Sequence, residues 1–198
     1  MLLVKELFIK MTKRAIRKLY KQKRMDISAA AKSKMEDLML IQFQSLHLNI
    51  PNNIMTFAAI ENYNEYNPVL IEEYCFFKNP AALLIYPVTN FTNNTLIPVA
   101  TKEDTLFEIN DYQINEPING TPVDLATIEL MLLPLLAFNK NGFRVGYGKG
   151  FYDKLIEKCN PTMLKIGFSF FDDTVFDDVN EFDRKMDICI TPENIYQF

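Results

Sequence analysis

Short apolar runs at 54–60, 81–88, 125–134, 163–170 and 187–191 divide this chain, and the segments between them read as helix or as polar loop. Near-continuous apolar runs of this length suit strands buried on both faces. Residues 12–24 are rich in good helix formers. Ser28 reads as an N-cap, followed by a helix with Met35, Leu38, Met39 and Ile41 to Phe43 at near-helical spacing. Residues 68–77 predict a helix with Pro68 in its first turn, and 151–159 one ended by Asn160-Pro161. Strands alternating with helices predict an α/β fold: a mostly parallel central sheet with helices on both faces. The most apolar run, 125–134, is the expected central strand. Residues 89–124, full of Asn, Thr and Pro, read as loops with a short antiparallel excursion, and 138–150 as a loop.

At 198 residues the chain fits a single domain, 1–198, in which 1–11 are expected to be a dispensable N-terminal extension. Lys5, Glu6 and Lys10 interrupt any secretion signal there, and no later stretch is apolar enough for a membrane span. Cys75, Cys159 and Cys189 are far apart and the only histidine is His47, which excludes an ordinary Cys/His zinc site. Scattered thiols fit a reducing compartment, so a cytoplasmic location is expected. The net charge of −4 conceals an asymmetry: residues 1–24 carry nine basic residues and one acid, against twelve and 24 in the remainder. A basic arm on an acidic body suits an anionic ligand near the arm, or simply a solvated helix face.

Gly146-Tyr147-Gly148-Lys149-Gly150-Phe151-Tyr152-Asp153 is the sharpest feature. Alternate glycines allow unusual backbone angles and close ligand approach. The helix that follows offers unpaired N–H groups, and Lys149 adds a full charge, which together make an anion cradle of the kind that takes phosphate. A Walker A loop needs Ser or Thr after the lysine, and a dinucleotide fingerprint needs different glycine spacing; neither is met. A tight turn packed for its own sake is the plain alternative. Asp153, in the first turn of that helix, either compensates the dipole or ligates Mg²⁺ beside phosphates. Glu181, Asp183 and Asp187 form a second acidic group, and Asp172, Asp173, Asp177 and Asp178 read as a solvated loop. Glu65 follows the first strand, where open α/β sheets bind ligands.

These pieces together resemble the 5-formyltetrahydrofolate cyclo-ligase family. The best match is LLPLLAFNKNGFRVGYGKGFYDKLI, through Pro134, Phe138, Gly142, Arg144, Gly146, Gly148, Lys149, Gly150, Tyr152 and Asp153. Lys13 to Arg17, with Arg24 beyond, is similar to the family's basic N-terminal element; Ile114-Asn115-Glu116-Pro117 resembles its I-x-E-P segment; Glu181 to Asp187 resembles its closing acidic element. The resemblance runs from about residue 12 to the C-terminus. Phe182 stands where the family usually has His, Phe151 for its first Tyr, and Asn139 for a usual Asp.

The resemblance implies a three-layer α/β/α domain of the sugar-phosphate isomerase and CoA-transferase kind. It implies ATP- and Mg²⁺-dependent closure of 5-formyltetrahydrofolate to the 5,10-methenyl form. Lys149 and Arg144 would be catalytic. Lys13, Arg14, Arg17, Arg144 and residues Gly146, Tyr147, Gly148, Lys149, Gly150, Phe151 and Tyr152 would bind ATP, with Tyr152 either a ligand contact or core. Ile60, Glu65, Tyr147, Gly148, Lys149, Gly150 and Phe151 would bind the folate, and Asp153 and Asp183 the metal. The expected partners are these small molecules, with no nucleic acid and no membrane, and the chain is expected to be a monomer or weak dimer. Two other readings stay open: a sugar-phosphate or nucleotide-phosphate enzyme, and a nucleic-acid binder using the basic arm.

Overall fold

The structure, a computed structural model, describes residues 11–198. The expected extension lies outside the described residues except for Met11. Helix α1 (Lys13–Met25) starts at Thr12, whose side chain accepts from Ala15 N, and α2 (Ala29–Ser45) starts at Ser28, which does the same for Ala31 N. Strand β1 (Asn53–Met55) and helix α3 (Val69–Lys78) follow. Next come β2 (Leu83–Asn90), β3 (Thr95–Ala100), β4 (Phe107–Ile109), β5 (Asn115–Pro117) and β6 (Thr121–Pro122). The remainder is β7 (Leu130–Leu133), β8 (Ala137–Phe138), β9 (Arg144–Val145), α4 (Phe151–Ile156), β10 (Leu164–Phe168), β11 (Ile188–Ile190) and β12 (Ile195–Gln197).

Eight strands form one sheet in the order β12-β11-β10-β7-β1-β2-β3-β6. The five inner strands from β11 to β2 are parallel, and β12, β3 and β6 join antiparallel at the edges. Successive residues point to opposite faces, so the apolar runs feed two cores. Ile54, Leu84, Leu130, Leu132, Ile166 and Ile190 pack under α2 and α3 against Met39, Phe43, Ile71 and Cys75. Met55, Ile85, Met131, Leu133 and Cys189 pack on the other side against Leu155 of α4, Cys159 and Met163. Helix α1 joins neither core. Its Ile16 and Tyr20 pack on Leu136, Ala137 and Val145 of the β8–β9 hairpin and on Phe176, with Met11 against the same cluster. All three cysteines are buried thiols, and burial raises Cys75 to about 12 and Cys159 to about 11. Among the described residues no helix is long and apolar enough to cross a membrane.

The central position of the 125–134 run is correct, but only 130–133 is strand; Asp124 caps a 3-10 turn ahead of it. The 54–60 run leaves the sheet after Met55, because Phe57, Ala58 and Ile60 form the wall of a cavity instead. The polar 89–124 segment supplies two strands to the main sheet, and the 138–150 loop contains half of a hairpin. The acidic run at 172–178 is more than a solvated loop. Asp172 Oδ1 accepts from Thr191 Oγ1, Asn194 Nδ2 and Tyr196 OH and ties down β12, while Asp178 accepts from Lys13 N at the start of α1.

Glu72 of α3 is buried beneath β2, where Thr56 Oγ1 (2.6 Å) and Tyr86 OH (2.9 Å) donate to its carboxylate. Burial raises its pKa, and the two hydrogen bonds oppose this. A carboxyl group with a raised folded pKa holds its proton more tightly folded than unfolded. Its contribution to stability is therefore full below the unfolded value of about 4.3 and is lost as pH rises through the folded value. Glu72→Gln should flatten that part of the stability profile. Urea midpoints from pH 4 to 7, compared with wild type, check this; parallel profiles would contradict it.

Candidate active site

The parallel strands end at a cavity of about 660 Å³. Phe57, Ala58 and Ile60 line it beyond β1, Pro134 beyond β7, and Pro87 and Thr89 from β2. Open α/β sheets bind ligands outside the carboxyl ends of their strands. Helix α1 closes one side with Lys13, Arg17 and Lys21, spaced four residues apart and so on one helix face.

The glycine loop, residues 146–153, forms the floor. Gly148 (φ +96°) and Gly150 (φ +69°) take left-handed conformations, and Gly150 opens α4. A Cβ on Gly148 would also come within 3.1 Å of the Arg17 guanidinium carbon. Arg17 Nε donates to Gly146 O at 2.9 Å, so α1 is fastened to the loop by a side chain that reads its backbone. Lys149 is exposed on the loop.

The two candidate metal ligands are each held by a cation. Arg144 is buried and donates to Asp153 Oδ1 (2.9 Å) and to Arg184 O (2.9 Å). Burial lowers the Arg144 pKa, and Asp153 opposes that. Arg184 N also donates to Asp153 Oδ1, which leaves Oδ2 as the oxygen available to a ligand. Asp183 accepts from Lys13 Nζ at 2.5 Å and from Asn180 N at 2.8 Å. Magnesium takes one or two carboxylates, completing its octahedron with water and phosphate oxygens. Two half-satisfied carboxylates on one cavity fit that habit. Among the described residues no cluster of three or more His, Cys, Asp or Glu forms a complete cage.

On the opposite wall Glu65 is 3% exposed. Its Oε2 accepts from Ile60 N at 2.9 Å, and its Oε1 from Tyr147 OH at 2.8 Å. Arg24 lies 3.7 Å from Oε1, donates to Tyr147 OH at 2.5 Å, and donates to Tyr63 O at 2.9 Å. Burial raises the Glu65 pKa, and Arg24 is the largest influence holding it down. Lys21 Nζ sits 5.2 Å and 5.1 Å from the ring centres of Tyr63 and Tyr147.

The structure therefore brings Lys13, Arg17, Ile60, Glu65, Arg144, the glycine loop, Asp153 and Asp183 to one cavity. It does not bring Arg14, which is exposed on another face of α1, nor Glu181 and Asp187; Asp187 pairs with Lys165 instead. Tyr152 is both a lining residue and packed against the second core. Sequence reasoning missed Lys21, Tyr63, Phe91, Tyr112 and the role of Arg24. Lys21 was recoverable from the four-residue spacing of Lys13 and Arg17. Phe91 and Tyr112, stacked at 4.4 Å on the rim, come from the polar segment and carry no local signal.

A model of the 5-formyltetrahydrofolate cyclo-ligase family matches residues 9–192. The 5-formyltetrahydrofolate cyclo-ligase of Mycoplasma pneumoniae is 28% identical, over 81% of this chain and 86% of its own. That of Mycoplasma genitalium is 27% identical (80% and 84%), and that of Mus musculus 29% identical (74% of each). Among solved structures, a 5,10-methenyltetrahydrofolate synthetase from Mycoplasma pneumoniae superposes with a TM-score of 0.73 at 23% identity, covering 92% of this chain and 99% of that one. One from Aquifex aeolicus superposes with a TM-score of 0.76 at 20% identity, covering 94% and 93%. At these identities the superpositions establish the shared fold.

Among the described residues, the Tyr147 hydroxyl is the one group that touches both Arg24 and Glu65 through hydrogen bonds. Tyr147→Phe keeps the ring over Lys21 and removes that bridge. Leaving buried charged groups short of a partner should cost about 1–3 kcal/mol of stability. A urea unfolding curve measures it, and an unchanged midpoint would show that the bridge contributes nothing net.

Proposed function

The chain belongs to the 5-formyltetrahydrofolate cyclo-ligase family, and from that premise we propose that it converts 5-formyltetrahydrofolate and ATP into 5,10-methenyltetrahydrofolate, ADP and phosphate. One observation carries this reading: a single cavity joins a cationic glycine-loop cradle to a buried, hydrogen-bonded carboxylate. The first suits a polyphosphate, and the second suits the donor-rich edge of a pterin.

The formyl oxygen is a poor leaving group until it is phosphorylated. Transfer of the γ-phosphoryl group to that oxygen, followed by attack of nitrogen 10 on the activated carbon, expels phosphate and closes the ring. Phosphoryl transfer is governed by positioning and charge neutralisation. Gly146, Gly148 and Gly150 present backbone to the phosphates, and Lys149 adds positive charge. Lys13 and Arg17 face the nucleotide from α1. Arg144 orients Asp153, which with Asp183 would hold Mg²⁺; the ion would neutralise phosphate charge. Glu65 takes the pterin edge, Ile60 lies on its apolar wall, and Tyr147 and Phe151 pack on the ring.

Incubation with 5-formyltetrahydrofolate and MgATP should develop the methenyl chromophore, with one ADP per product. Equal turnover without nucleotide would overturn the reading. Lys149→Ala should lower turnover by about 10²–10³, the loss that follows removal of one charge-stabilising donor. Because Lys149 is exposed, thermal unfolding should stay close to wild type. A folded variant with near-normal turnover would remove Lys149 from the mechanism.

A further inference from the structure

The cavity contains one buried carboxylate that the scheme above leaves unused. Glu116, on β5, is 8% exposed and lines the cavity. Its Oε1 accepts from Thr89 N at 2.9 Å and from Thr89 Oγ1 at 2.6 Å. Both bonds fall on one oxygen, so the side chain is anchored at Oε1 while Oε2 remains.

Each of the other lining carboxylates has a cation of its own. Glu65 has Arg24, Asp153 has Arg144, Glu157 has Arg184 and Asp183 has Lys13. Among the described residues Glu116 has none. A carboxylate buried without a cationic partner is disfavoured, and the two hydrogen bonds to Glu116 come from neutral donors. A wall with an uncompensated negative charge favours an occupant that brings positive charge to it.

The proposed reaction generates such an occupant. As nitrogen 10 bonds to the formyl carbon it gives up its proton. The carbon–oxygen bond then breaks, its electron pair leaves with phosphate, and the proton is accounted for in hydrogenphosphate. The remaining N5–C–N10 unit carries a delocalised positive charge that the uncharged N5-formyl amide of the substrate lacks. Tyr152 lines the same cavity as Glu116. Its hydroxyl, raised in pKa first by burial, also feels Glu65 at the pterin end, Arg144 at the phosphate end, and Glu116.

We propose that Glu116 is a counter-charge for the cationic N5–C–N10 centre, binding product and late transition state more tightly than substrate. This rests on the reaction assigned above. The test compares Glu116→Gln with wild type for binding of 5,10-methenyltetrahydrofolate and of 5-formyltetrahydrofolate, without ATP, and then for turnover with MgATP. Glutamine preserves shape and the Thr89 contact. Affinity for the methenyl cation should fall roughly 10- to 100-fold, the range given by a lost charge-assisted contact. Affinity for the formyl compound should change little, and kcat should fall with the KM for ATP unmoved. Equal weakening toward both folates would make Glu116 a plain hydrogen-bond acceptor and overturn the proposal, as would no weakening at all. Thr89→Val, which loosens the carboxylate but keeps its charge, should retain the wild-type preference for the cation; loss of that preference would also count against it. Wild type that binds both folates but forms no product would overturn the reaction, whereas wild type that turns over with an unchanged Glu116→Gln binding ratio would overturn this role alone.

Discussion

The guanidinium of Arg24 is the interaction on which the site depends. It lies 3% exposed at the end of α1 and holds three groups from two stretches of chain: the Tyr63 carbonyl and the Glu65 carboxylate, and the Tyr147 hydroxyl of the glycine loop. Asn64, in a left-handed conformation (φ 47°), returns the contact by donating to Arg24 O at 2.7 Å and Ile27 O at 3.0 Å. A planar, permanently charged group with five donors suits this task, where a lysine would supply only a point charge. The basic arm is thus partly construction. Lys13, Arg17 and Arg24 each bond to protein atoms, while Lys13 and Arg17 also line the cavity.

Much of the fold was legible because local chemistry and tertiary context agree. The Ser28 cap and the Pro68 start act within a few residues, and the sheet core follows from apolar runs buried on both sides; the helix expected over 151–159 ends earlier, at Ile156, before the Asn160-Pro161 stop. Errors arose where apolar residues serve something other than a strand. Phe57, Ala58 and Ile60 are apolar and line the cavity instead of extending the strand. Conversely, β6 is an edge strand that pairs with β3 only at Val99 and Ala100, an arrangement that tolerates Pro122 and Pro98, and both strands look like loop in sequence. β12 carries little pattern in three residues and is secured by Asp172 from elsewhere.

The site was legible where one local segment carries it, as in the glycine loop. It was hidden where function depends on pairing across the chain. Glu65 and Tyr147 are 82 residues apart, and Arg24 and Tyr147 are 123 apart, and nothing local announces either contact. Asn139 illustrates the same limit. It differs from the usual family residue, yet it is 3% exposed and fully occupied with structure: Oδ1 accepts from Asn141 N and Phe143 N, and Nδ2 donates to Phe176 O. A carboxylate would lack that last donor, so the asparagine suits the loop as it folds here.

Helix α1 packs on a hairpin and a loop, and its cluster includes no residue of the eight-stranded sheet. Segments of this kind open with free energies below that of the whole molecule. Opening α1 alone would remove Lys13, Arg17, Lys21 and Arg24 together and unroof the cavity, while both faces of the sheet stayed covered. Loss of the binding surface would then be separable from loss of the native fold, with the first at a milder temperature or denaturant concentration. Ligand held between α1 and the glycine loop would narrow that interval, because it bridges this helix to the loop beneath it.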